Sequence, residues 1–164
     1  MRPHPEPENH YHLSDVERSE PDRWLGKGFG RAFHEHLEEG LRAHGVERMT
    51  LSAASEVGSY VWASLGYEYD PHDCLERPSS PREAQQIMAH RAVQCALDYP
   101  SGSISRPDLT EADLEEFRAL QEQDEISVFD IASVGKERPS RNYKGEVTWA
   151  GLSALRTWHG VKFL

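Results

Sequence analysis

The clearest periodicity in the chain begins at Gly28, where Phe29, Ala32, Phe33, His36, Leu37 and Leu41 recur at spacings of three and four. That spacing places them on one stripe of a helix. Gly45 is positioned to end it, with Arg42 and His44 in the last turn, where positive charge suits the helix dipole. Residues 47–54 then alternate, with Met49, Leu51 and Ala53 on one face, the pattern of a strand. Residues 56–66 return to helical spacing through Val57, Tyr60, Val61 and Leu65, close at Gly66, and lead into an extended piece at 67–69. Helix, strand, helix and strand in close succession predict an α/β pattern with a parallel central pairing. Ahead of them, residues 11–17 alternate loosely and are read as a further strand.

The second half changes character. Ser80, Pro81 and Glu83 form a capping box with proline at the first helical position, opening a helix that runs to about Tyr99 and stops at Pro100 and Gly102. Thr110 with Asp113 makes a second box, Leu109 and Leu114 fit a hydrophobic staple, and Leu114, Phe117 and Leu120 face inward. A third helix is expected over 128–134. Residues 135–145 are basic and turn-forming. The last sixteen residues carry Trp149 and Trp158 and end in a closing strand at 161–164, with Trp149, Trp158 and Phe163 read as core. The chain thus divides into a disordered leader (1–10), a core (11–70) and a helix-rich extension (71–164). No internal repeat is found.

Composition narrows the partners. Hydrophobic residues make up 37% and charged residues 28%, a polar balance, yet four Trp, six Tyr and five Phe supply anchors for a modest core. Eighteen Lys and Arg against 28 Asp and Glu give a formal charge of −10, which repels phosphate backbones and anionic headgroups. Neither a nucleic acid nor a membrane is therefore expected as a partner. The absence of a long apolar run, of an apolar stretch in the first ten residues and of metal-spaced cysteines points to a cytoplasmic protein without a metal. His34 and His36 lie two apart on a helix and cannot chelate together; one is expected in the core and one on the surface. Cys74 and Cys95 read as small buried thiols, and Glu38, Glu39, Glu115 and Glu116 as solvated helix faces. Lys136, Arg138, Arg141 and Lys144 read as a solvated loop, with a phosphate or an acidic patch as the other reading.

The strongest chemical signal is the run Gly26, Lys27, Gly28, Phe29, Gly30, Arg31. Glycines at every second position directly before an amphipathic helix let the backbone approach a bulky anion, which the free amides of the first turn then bind. The run lacks the lysine and hydroxyl of a Walker loop, and residues 22–25 make a poor Rossmann strand. This block, followed by residues 45–51 and then by a helix closing at Leu65, Gly66 and Tyr67, resembles the Gcn5-related N-acetyltransferase (GNAT) family over about residues 24–70.

The resemblance implies a GNAT-like short mixed sheet flanked by helices, with acetyl-CoA as co-substrate and an amine as acceptor. It places the CoA pyrophosphate on Gly26, Lys27, Gly28, Phe29, Gly30 and Arg31, with Ser55 where the family commonly has asparagine after the second strand. The pantetheine arm would lie between the strand at 11–17 and the strand at 47–54. A carboxylate base falls on Asp15 or Glu17, with Glu17 taken as the catalytic base. The sequence departs from the family at Leu25, where arginine or glutamine is usual. It departs again at Trp62, where a tyrosine often protonates the departing thiolate, Tyr60 lying two residues away. The family's first half has no counterpart before residue 24. The expected function is therefore acyl-CoA-dependent N-acetyltransfer; the alternative is a non-catalytic GNAT-like remnant serving as a CoA-binding or protein-interaction module. With only three or four strands to hand, cover of the sheet flank by the later helices is expected first and a homodimer second.

Overall fold

A computed structural model describes residues 10–13, 29–53, 56–98, 109–142 and 144–164. The chain is mixed α/β and forms two compact units, Met1–Ser52 with Val161–Leu164, and Ala53–Gly160.

In the first unit, β1 (His10–Leu13) runs parallel to β2 (Arg48–Ala53), with His10 opposite Arg48 and Leu13 opposite Leu51. Parallel neighbours need a crossover connection, and α1 (Phe29–Ala43) lies in it. The helix stops where the glycine predicts: Gly45 takes φ +76°, its N–H bonds to the Arg42 carbonyl, and the Val46 N–H bonds to Leu41. Beyond β2, the Leu164 N–H reaches the Glu47 carbonyl at 2.9 Å, so the end of β6 (Trp158–Phe163) runs antiparallel to β2. Met49 and Leu51 are buried, as their alternation predicts, but so is Thr50 between them.

The face that α1 buries differs from the expected stripe. Ala32, Phe33 and His36 are exposed, Phe33 by 58%, and Leu37 and Leu41 are half-buried. The buried positions are His34 and Glu38. The physical reason is ionic: Glu38 accepts a hydrogen bond from Lys162 of β6 at 2.5 Å and lies 2.8 Å from His34 Nδ1. A charge pair held at low exposure fixes the roll of the helix more tightly than half-covered leucines do.

The second unit holds α2 (Glu56–Ser64), β3 (Glu68–Tyr69), a 3-10 turn at Pro71–Asp73, α3 (Pro81–Asp98), α4 (Glu111–Gln121), α5 (Val128–Ser133), β4 (Ser140–Arg141), β5 (Val147–Thr148) and α6 (Ala150–Leu155). Its core is apolar: Tyr67, Val93, Phe117, Ile126, Val128, Ile131 and Leu152 are almost fully buried. α5 and α6 approach so closely that a Cβ on Gly151 would fall 2.1 Å from the Ile131 carbonyl oxygen, and the Gly151 N–H bonds to Val134. The Thr110–Asp113 box forms in full at α4, and an equivalent box, Ser127 with Asp130, opens α5. At α3 only half of the expected box forms. Ser80 Oγ accepts the Glu83 N–H, while the Glu83 carboxylate turns to Ser79 instead.

Other expectations are corrected. β2 and β3 are not paired; β6 is the strand bonded to each, through Leu164 in the first unit and through the Asp70 N–H to His159 carbonyl bond in the second. Residues 150–155 form a helix where only an approach to the closing strand was expected. Residues 140–148 contain an antiparallel hairpin. Trp149 and Trp158 are core, Trp149 donating its indole N–H to the Ala132 carbonyl, but Phe163 is 56% exposed. Cys95 is exposed and Cys74 half-buried, so neither is a buried thiol.

Candidate functional site

The expected anion site centres on the connection that enters α1. Glu17, Gly26, Lys27, Gly28 and Ser55 lie outside the described residues, as does Asp15. Phe29, Gly30 and Arg31 form the first turn of α1, which carries no acidic side chain. Gly30 and Arg31 are exposed, and a Cβ placed on Gly30 would meet nothing within 4 Å. The first turn of any helix leaves N–H groups without intrahelical partners, and the helix dipole favours negative charge there.

Topology adds a constraint that the glycine spacing does not contain. β1 and β2 are parallel and α1 lies between them in sequence, returning to β2 through residues 44–47. A helix that crosses between parallel neighbours begins at their carboxyl ends and returns to their amino ends, and the carboxyl ends are where open α/β sheets take ligands. The β1–β2 pairing is continuous from His10 to Leu13.

Deeper in the same unit, His34, Glu38 and Lys162 make a buried polar cluster. His34 is held below its ordinary pKa chiefly by burial, against the opposing pull of Glu38. The sequence shows the i, i+4 spacing of His34 and Glu38; nothing in it announces Lys162, 124 residues further on. Of the two histidines, His34 is in the core and His36 on the surface, as expected, but Glu38 is not the solvated residue it was read to be.

In the second unit, the residues considered for an acid or a phosphate contact have other partners. Tyr60 Oη accepts a hydrogen bond from Lys136 Nζ at 2.6 Å, and its ring packs against Phe129 and Trp149. Trp62 sits edge-on to Tyr67. Arg138 pairs with Asp113 and Glu116, and Arg141 donates to the Gly145 carbonyl. The basic stretch is thus largely a set of internal ties rather than a free cationic patch.

A cleft of about 280 Å³ opens between the 3-10 turn and the start of α3, lined by Pro71, His72, Ser79, Ser80 and Ala84 among others. His72 Nδ1 lies 2.9 Å from Asp70 Oδ1, an orientation suited to a general base. The two serines do not complete a nucleophilic triad, because Ser79 donates to Glu83 and Ser80 caps α3. Among the described residues, no group of three His, Cys, Asp or Glu side chains is placed to hold a metal ion, and no helix is long and apolar enough to cross a membrane. No family model matches the chain, and no curated protein or solved structure matches it.

Proposed function

We propose that the chain is an acyl-CoA-dependent N-acetyltransferase of GNAT-like design, moving an acetyl group from acetyl-CoA to an amine. The observation that carries this reading is the parallel β1–β2 pair joined through the glycine run and α1. It supports an anion site at the carboxyl end of the pair in a protein whose net charge of −10 otherwise repels phosphates. In this reading the amides of Gly26 to Arg31 hold the pyrophosphate, Ser55 contributes after β2, and Glu17 takes the proton from the amine. The amine attacks the thioester carbonyl, backbone N–H groups at the end of β2 stabilise the oxyanion, and the tetrahedral intermediate expels the CoA thiolate. The indole N–H of Trp62 can only donate, and a free thiol pKa of about 8.5 lets the thiolate depart largely unprotonated.

Calorimetric titration with acetyl-CoA, paired with thiol release on a panel of amines, tests the reading. Gly28→Glu adds bulk and negative charge at the loop and should remove binding. Equal affinity in wild type and Gly28→Glu would overturn the loop assignment. Binding without thiol release would favour the second reading, a CoA-binding module without catalysis. That reading draws on Trp62 standing where the family's acid is usual.

A further inference from the structure

Glu68 occupies an unusual electrostatic position. It lies on β3, half-buried, and its carboxylate accepts one hydrogen bond, from the Val128 N–H at 3.0 Å, sixty residues away at the first turn of α5. The Asp130 carboxylate, already committed to the Ser127 cap, faces it from the same turn. None of its interactions involves a cation: among the described residues, no ion pair includes Glu68. The neighbours contributed by the other elements packed on β3 are neutral or turned elsewhere. Gln85 of α3 donates to the Tyr69 carbonyl, Cys95 of α3 and Trp158 of β6 bear on Tyr69, and His159 of β6 turns to Asp73. Asp70, the next acid along the chain, is taken up by His72.

We propose that Glu68 is a proton-operated latch between β3 and α5, its buried seat favoured when the carboxyl is protonated and penalised when it ionises, even though the Val128 hydrogen bond by itself is stronger to the carboxylate. The reason is a balance of three effects. Burial with no cation penalises the carboxylate, and the adjacent Asp130 charge penalises it again; one amide hydrogen bond offsets only part of this. A neutral carboxyl keeps a carbonyl oxygen for the Val128 N–H and gains a hydroxyl donor, so the bridge between the two elements survives protonation. Consistent with this geometry, the Glu68 pKa is pushed up to about 7, chiefly by burial. The latch thus works around neutral pH without a histidine. It joins residues on either side of the most buried part of the second unit, where Tyr67, Val128 and Ile131 have almost no exposure.

Carbon-13 NMR titration of the side-chain carboxyls on the full-length chain reads the proposal directly. The Glu68 carboxyl should titrate near neutrality, more than one pH unit above ordinary glutamates, and α5 amide signals should move with the same midpoint. In parallel, the thermal stability of wild type relative to Glu68→Gln, which keeps an acceptor for Val128 and carries no charge, should fall from pH 5.5 to pH 8. Asp130→Asn should move the Glu68 midpoint toward acid. A Glu68 carboxyl that titrates with the ordinary glutamates would overturn the latch, even if Glu68→Gln fails to fold. An unchanged pH slope in a folded Glu68→Gln would overturn it too.

Discussion

The two units differ in what their helices bury. In the second, the helices turn apolar residues inward, Val93, Phe117, Ile131 and Leu152, and leave charge pairs such as Arg82 with Glu125 at the rim. In the first, the strands bury Met49, Leu51 and Val161, but α1 turns His34 and Glu38 inward to meet Lys162 and leaves Phe33 outside, while β6 leaves Phe163 outside. An apolar core stabilises through area removed from water and tolerates changes of pH. A buried ionic contact sets geometry at a desolvation cost and depends on protonation state. The helices of the second unit pack mainly through apolar side chains, and α1 of the first is seated through charged ones.

The largest test of that contrast is Phe117→Ala. Phe117 has no exposed surface, so the truncation should cost about 3–5 kcal/mol in a denaturant unfolding experiment. A loss below ~1 kcal/mol would mean the second unit lacks the packed core described.

Acidity should move the two units in opposite directions. The pKa of His34 is depressed in the folded state, so its contribution is present above the ordinary histidine value of 6.5 and is lost as pH falls through the folded value. The pKa of Glu68 is raised from 4.5 to about 7, so its contribution is full below 4.5 and is lost as pH rises through 7, an effect of up to ~3 kcal/mol. Between pH 7.5 and pH 5.5, amide exchange corrected for intrinsic rates should show α1 and β2 opening more often and α5 opening less often. A shift of the same sign in both units would break the comparison.

The smallest effect is expected at Phe163. More than half exposed on the last strand, it should tolerate Phe163→Ser within about 0.5 kcal/mol by the same denaturant measurement. A loss comparable to that of Phe117→Ala would show that Phe163 is packed rather than exposed.

Much of the element order could be read from the residues, and the limits have physical causes. Periodicity located α1, α2, α3, α4 and α5 because each carries a local signal, such as the Thr110–Asp113 box or Gly45 with its positive φ. The short α6 has no side-chain cap to mark its start, and within it Gly151 is the residue that lets α6 approach the Ile131 carbonyl. The roll of α1 could not be read from its apolar stripe, since the deciding contact is Lys162, far along the chain. Glu68 left no trace either: a glutamate in a two-residue strand has no pattern, and its environment exists only once α5 docks on it. The glycine run suggests an anion loop by its spacing alone, and Gly26 and Gly28 lie outside the described residues. The parallel register of β1 with β2, His10 opposite Arg48, cannot be read from that spacing.

The most direct test of the acyl-CoA reading is an amide NMR titration of the whole chain with acetyl-CoA. The account predicts saturable shifts at Gly26 to Arg31 and at the end of β2, with the residues lining the Pro71–Ala84 cleft unmoved. No shift at the glycine run, or shifts confined to that cleft, would contradict it.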